Sequence, residues 1–335
     1  MHGYARYSVQ RLFFKGELRW YSGNTPSDCY AVGGLFYMKT IPAKTILQKN
    51  KSTDWFGNDY NMNLYRGCTH GCIYCDSRSV CYQINHDFED IEVKQNAPEL
   101  LEDALRRKRR KCMIATGAMC DPYMHCEMEL GLTRRCFELI ERYGFGLSVQ
   151  TKSDRILRDL DLLRRINEKS KCVVNMTLTT YDEALCRIIE PNVCTTRRRY
   201  EVLKAFQREG IPTVVWLSPI LPFINDTEEN LRGILSYCFD AGVKGIIAFG
   251  MGLTLREGDR EYFYQALDRH FPGVKQKYIR QFGLDYECPS PDSERLWRIF
   301  DGECQKRGVM HHPEEIFAYM HQFPEKNDGE QLCMF

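Results

Sequence analysis

From about residue 60 onward, short apolar runs alternate with amphipathic, charge-rich stretches. The runs MNLYR (62–66), CMIATG (112–117), FGLSVQ (145–150), CVVNMTL (172–178), PTVVWL (212–217) and VKGIIAFG (243–250) read as strands. Between them a helical period runs over 98–111, 131–143, 154–168, 196–209 and 227–241, with another at 259–270. Several of these stretches follow a Ser, Thr or Asp able to cap the first turn. Six strand-then-helix units in series predict a parallel sheet with right-handed crossovers. No dinucleotide-binding glycine fingerprint follows the first strand, and a cysteine cluster stands there instead. The pattern predicts an α/β fold, a partial (β/α)6 relative of the TIM-type barrel rather than a doubly wound sheet. Function is then expected on loops at the carboxyl ends of the strands.

The expected organisation is a barrel over 38–280, a small C-terminal helical extension over 281–322 and a flexible tail over 323–335. The extension is carried by YECPSPDSERLWRIFDGECQKRGV and HPEEIFAYMHQF, each with a helical stretch. Residues 1–37 hold no clear period, and Gly33-Gly34 can be back-translated as a ribosome-binding sequence just upstream of an ATG for Met38. They are read as a non-native or disordered extension, with the native start expected at Met38. Mass spectrometry of the natively expressed N-terminus decides between Met1 and Met38.

Composition narrows the class. The chain has 335 residues, 16 cysteines and a formal net charge of +1. That balance argues for no global attraction to nucleic acid or membrane, so such contacts must come from local patches. No secretory apolar stretch opens the chain, and no apolar run approaches the length that spans a bilayer. A disulfide framework is therefore not expected; the thiols read as free in a reducing cytoplasm, with no membrane partner. The strongest charge run is RRKRRK (106–111). On a helix its residues point in several directions and are mostly solvated, with contact to nucleic-acid phosphates as the alternative. His311-His312 reads as a helix-start feature rather than a metal pair.

The candidate chemistry lies in RGCTHGCIYC, where Cys68, Cys72 and Cys75 are spaced C-x3-C-x2-C. A structural zinc site wants four closed ligands, with Cys81 or His70 as a conceivable fourth. The bacterial ferredoxin run C-x2-C-x2-C-x3-C does not match. The third option is a cubane cluster held at three irons, its fourth iron open to an incoming ligand.

With Tyr74 before the third cysteine and a strand before the first, the motif resembles the signature of the radical S-adenosylmethionine (SAM) enzymes. NLYRGCTHGCIYC is similar to the branch that includes spore photoproduct lyase. The resemblance continues through TGAMCDPY, QTKSDRILRDLDLL, TLTTYDEALCRIIEP and SPILPFIND, over residues 38–310. It implies that Cys68, Cys72 and Cys75 hold a [4Fe-4S] cluster whose open iron chelates the methionine part of SAM. It further implies reductive cleavage of SAM to methionine and a 5′-deoxyadenosyl radical that abstracts a substrate hydrogen. An external electron donor such as flavodoxin or ferredoxin is then required. Lyase-like repair of a DNA lesion is the sharpest implied activity, with RNA, a protein or a small metabolite as alternative substrates. A non-catalytic zinc or iron–sulfur protein is the reading from another class.

The resemblance also suggests site residues. In GAMCDPY, Gly117 would allow close backbone approach and Asp121 would accept from the methionine ammonium; the plain alternative is a turn punctuated by Asp-Pro. Cys120 is a candidate hydrogen-atom donor, against a buried spectator thiol. Lys152 would reach a cofactor carboxylate, and Ser153 either helps there or caps the next helix. Thr177 and Thr179, with Thr180 beside them, would hydrogen-bond ribose or methionine. An arginine among Arg197, Arg198 and Arg199 would lie near the site, or solvate a first helical turn. In SPILPFIND two prolines shape a loop, and Asn225 and Asp226 read as a cap. The tail QLCMF (Gln331–Phe335) resembles the short peptides that dock on bacterial sliding clamps, with Leu332, Met334 and Phe335 entering an apolar groove.

Overall fold

The computed structural model describes residues 38–52 and 56–323, together with the backbone of 10–14 and 17–21. Six parallel strands form its centre: β1 (Tyr60–Met62), β2 (Met113–Thr116), β3 (Gly146–Thr151), β4 (Cys172–Thr177), β5 (Thr213–Trp216) and β6 (Gly245–Ile247). They neighbour one another in chain order from β1 to β6, and Leu47–Lys49 adds an antiparallel edge beside β1. A doubly wound sheet would reverse its strand order at a switch point; this one does not. Helices α1 (Ala97–Arg107), α2 (Leu132–Tyr143), α3 (Leu160–Lys169), α4 (Thr196–Arg208) and α5 (Glu228–Asp240) connect the strands, and α6 (Asp259–His270) follows the last. The protein is a partial (β/α)6 barrel with C-terminal helices, as the pattern predicts.

Alternation along each strand builds two cores. In β4, Cys172, Val174 and Met176 join the helix-side cluster with Phe137, Leu162, Ile166, Val202 and Phe206. Val173 faces the other way, with Val214, Trp216 and Ile247. Both faces are therefore covered, which is why these strands read as continuous apolar runs. Each large apolar side chain so buried contributes about 1.5–3 kcal/mol.

The inner cluster is completed from the far end of the chain. Ile316, Phe317 and Met320 of helix Pro313–His321 pack on Val173, Val214, Trp216 and Ile247. The Ile246 N–H donates to the Met310 carbonyl at 2.9 Å, and Lys171 donates to the carbonyls of Tyr319 and Gln322. Met310 bridges Gly245, the first residue of β6, and Lys171 directly precedes β4. The terminal helix thus closes the amino-end floor of the barrel and leaves the carboxyl-end loops free. His312 stands at the start of this helix, matching the expected role of the His pair.

Several boundaries differ from the pattern. The first strand ends at Met62; Tyr65–Arg66 pairs instead with Ile91–Lys94, in a side sheet that also holds Met38–Ile41. α1 stops at Arg107, so the rest of the charge run is not helical. The expected helix 154–168 is a 3-10 turn, Asp154–Asp159, followed by α3. Within the N-terminal extension, Gln10–Phe14 and Glu17–Tyr21 pair antiparallel, although the sequence shows no period there. Residues 1–9 and 22–37, and the QLCMF tail, lie outside the described residues. No helix among the described residues is long and apolar enough to cross a membrane.

Candidate active site

The cysteine loop leaves the side strand Tyr65–Arg66 and crosses the carboxyl ends of the barrel strands. Cys68 and Cys72 are buried, Cys75 is half-buried, and none is in a disulfide. The Cys68 N–H donates to the Phe88 carbonyl at 2.8 Å, and the Ile73 N–H to the Ile189 carbonyl at 3.0 Å. Asn192 donates twice, from its main-chain N–H to the His70 carbonyl at 3.2 Å and from Nδ2 to the Thr69 carbonyl at 3.0 Å. At Gly71, with φ +70°, a Cβ would lie 3.0 Å from Asn192 Nδ2 and 3.2 Å from Pro191 Cγ. Glycine permits both this turn and the close approach of the two loops.

A buried charge pair locks the same two loops. Tyr74, between the second and third cysteines, donates its hydroxyl to Glu190. Arg199 Nη2 lies 2.6 Å from Glu190 Oε2, and both side chains are fully buried. The guanidinium also donates to the Cys194 carbonyl at 2.9 Å and to the Thr177 carbonyl, at the end of β4, at 3.1 Å. Lys152 lies 5.8 Å from the centre of the Tyr74 ring. Burial alone would raise the Glu190 carboxyl, but Arg199 and Lys152 outweigh it and hold the group below the usual carboxylate range. Arg197 and Arg198 stay exposed, so Arg199 is the arginine of the run that reaches the site.

The other expected residues fall around this loop with roles the structure makes explicit. Asp121 accepts from the Tyr123 and Lys152 N–H groups, both at 2.8 Å, and from the Thr151 hydroxyl at 2.8 Å, and faces His70 Nδ1 at 3.5 Å. Its carboxylate organises the loops after β2 and β3. Gly117, at φ +103°, makes its close approach to the Gln150 carbonyl, where a Cβ would come within 2.0 Å. Ser153 accepts from the Arg155 N–H at 3.3 Å and so serves as a cap. The Thr179 carbonyl accepts from Asn225 and Asn230 side chains at 2.8 and 3.0 Å. Cys120 is buried and donates its thiol to the Tyr65 carbonyl at 3.1 Å.

One expectation is corrected. The cap of α5 is Thr227, which accepts from the Asn230 N–H at 3.1 Å. Asn225 is buried; its side chain accepts from the Leu221 N–H at 2.6 Å and donates to Thr180 Oγ1 at 3.0 Å as well as to the Thr179 carbonyl, tying the loops after β4 and β5. Asp226 accepts from Ser290 at 2.6 Å. Glu190, Asn192 and Asn225 carry most of the loop bracing; of these only Asn225 drew a role from the sequence, as a cap, because the partners of all three come from other loops.

The donor set bears on which inorganic group fits. Among the described residues, no three His, Cys, Asp or Glu side chains converge tightly enough to hold one metal ion. By donor chemistry, three thiolates leave a zinc ion one ligand short of a closed site and match a cluster that takes one thiolate at each of three irons. Two buried polar atoms near the loop, His70 Nε2 and Thr177 Oγ1, have no hydrogen-bond partner among the described residues. Buried polar atoms are rarely left so, and at a site they point to a ligand.

An uncharacterised protein of Mycobacterium tuberculosis is 31% identical over 225 residues, covering 65% of this chain and 66% of its own length. An uncharacterised protein of Methanocaldococcus jannaschii is 32% identical over 174 residues, covering 51% and 64%. The chain thus spans just under two thirds of the length of these relatives. Among solved structures, spore photoproduct lyase complexed with dinucleoside spore photoproduct superposes with a TM-score of 0.59 at 13% identity, covering 82% of this chain and 81% of that one. At that identity the likeness is one of fold. The family model of the radical SAM superfamily matches residues 62–265, more than half of the chain and all three cysteines, and the protein belongs to that superfamily.

Proposed function

We propose that the protein binds a [4Fe-4S] cluster through Cys68, Cys72 and Cys75, leaving the fourth iron for SAM, and acts on a lesion in DNA as a lyase-like repair enzyme. The observation that carries the cofactor assignment is three free, largely buried thiols in one loop, braced by Tyr74, Glu190 and Arg199 to the end of β4. When bound, this cofactor pair supplies one-electron reduction of the sulfonium and hence abstraction of a substrate hydrogen. The chain's own residues bind, orient and exclude water. Burial of the loop keeps solvent from the thiolates, and the Thr177 hydroxyl and His70 Nε2 stand ready as polar partners. A one-electron donor of the flavodoxin or ferredoxin class is the partner this reading requires.

The DNA reading is favoured by the likeness of fold to a lyase solved with a dinucleoside lesion. RNA, a protein or a small metabolite is the alternative substrate. The test is anaerobic reconstitution, electron paramagnetic resonance of the reduced cluster with and without SAM, and incubation with DNA carrying spore photoproduct. A spectral change on adding SAM and restoration of paired thymines support the proposal. SAM turnover with the lesion intact removes DNA repair and leaves the other substrates; an unchanged spectrum contradicts the cofactor assignment. Gln331–Phe335 is proposed in addition as a docking peptide for a sliding clamp. Its deletion should abolish clamp binding, and an intact chain that does not bind ends that proposal.

A further inference from the structure

The charge run at 106–111 plays no part in the site. Because α1 ends at Arg107, Arg109, Arg110 and Lys111 lie in the connection to β2. All three are exposed, as are Arg106 and Arg107. Arg106 pairs with Glu102 at 3.6 Å, but Arg107, Arg109, Arg110 and Lys111 make no ion pair among the described residues. Arg165, Arg198 and Arg232 each face a carboxylate at 2.7–3.0 Å, whereas exposed Arg135, Arg208, Arg269 and Arg280 make no ion pair among the described residues. What sets the run apart is that its unpaired cations are adjacent in sequence.

Contacts join the run to further cations. Lys108 Nζ lies 3.4 Å from the centre of the Tyr60 ring, and Tyr60 is paired in register with exposed Lys49. Lys111 lies over Phe145 at 4.6 Å, and Lys169 donates to the Arg142 carbonyl at 3.3 Å. These residues ring the amino ends of the strands, opposite the cysteine loop. α1, α2 and α3 end on this face, and cations there complement the helix dipoles. That explains Arg106, Arg107, Arg142 and Lys169. It does not explain Lys49, Arg109, Arg110 and Lys111, which lie outside every helix. Adjacent like charges without counter-charges repel in the isolated chain, and a polyanion relieves that repulsion while releasing its own counterions.

We propose that this face binds the phosphate backbone of duplex nucleic acid without regard to sequence. Arginine predominates in the run, and its guanidinium matches phosphate oxygens in pairs. A membrane-binding surface would combine the cations with apolar side chains. Of the large exposed apolar residues, Val80, Met128, Tyr181, Ile279, Leu284 and Tyr286 make no ring contact with the floor helix among the described residues, and Phe249 lies against Phe317 of that helix rather than beside the charge run.

The test is fluorescence anisotropy of a labelled random-sequence duplex of about 30 base pairs with the reconstituted protein, from about 50 to 200 mM KCl. The variant Arg107→Gln/Arg109→Gln/Arg110→Gln/Lys111→Gln should lower the slope of log K against log salt by about 3–4, at roughly 0.9 per lost phosphate contact. Formation of 5′-deoxyadenosine without DNA should be unchanged, which separates this face from the cofactor chemistry. Duplex DNA and duplex RNA serve as parallel arms, and binding of either supports the proposal. An unchanged slope, no binding by the parent at the lowest salt, or tighter binding to phosphatidylserine vesicles or polyglutamate overturns it. Duplex binding by a protein that fails to cleave SAM would leave this proposal standing and remove the cofactor assignment.

Discussion

Gly117 and Cys120 share one turn and show how far a residue's neighbours decide its role. A side chain at Gly117 would meet the Gln150 carbonyl at 2.0 Å, at a φ of +103° that L-residues rarely adopt. Gly117→Ala should therefore cost about 3 kcal/mol or prevent folding, since strain and clash coincide; chemical denaturation with stability equal to the parent would contradict the close approach. Burial pushes the Cys120 thiol up to about 12, and its hydrogen is directed to the Tyr65 carbonyl. Cys120→Ala should cost about 1–2 kcal/mol in chemical denaturation, with stability equal to the parent contradicting a thiol held by burial and the Tyr65 carbonyl. The three loop cysteines were legible because their spacing is local. The commitments of Asp121 were not, because its partners come from β3 and the residue that follows it, whereas the capping role of Ser153 was one of the two readings its position offered.

Among elements, the decisive link joins the cysteine loop, the loop at 190–194 and the carboxyl end of β4. If Tyr74 and Glu190 act through one hydrogen bond, Tyr74→Phe and Glu190→Gln should each slow SAM cleavage. The double variant should then be little worse than either single one, giving a coupling of about 0.5–3 kcal/mol. Effects that simply add would show that the two residues act separately. Tyr74→Phe leaves the buried ion pair intact and so keeps the test readable where removing one charge costs about 3–5 kcal/mol. Long elements were legible: the expected 131–143, 196–209, 227–241 and 259–270 differ from the helices by a residue at most at either end. Short or non-local ones were not. Helix Glu183–Ile189 spans too few turns to show a period. Tyr65–Arg66 was merged with β1 because a run of apolar residues does not reveal which sheet each end joins.

For the whole molecule, the division of labour follows the two ends of the barrel. The amino end is closed by Pro313–His321, and the carboxyl end holds the site. Ile316→Ala should lower stability by about 2–5 kcal/mol through the cavity it leaves, with iron content after reconstitution unchanged. Loss of iron in a folded Ile316→Ala protein would show that floor and site are not independent. This closure was hidden in the sequence, since a helix near the chain end gives no sign of which strands it will meet.

Cleavage of SAM by a cluster held at Cys68, Cys72 and Cys75 is the central proposal. The most direct measurement is chromatography of 5′-deoxyadenosine formed anaerobically by the reconstituted protein with reductant and SAM, beside Cys72→Ala. Formation by the parent and none by the variant is expected. An intact cluster that yields no 5′-deoxyadenosine, or equal formation by Cys72→Ala, would contradict it.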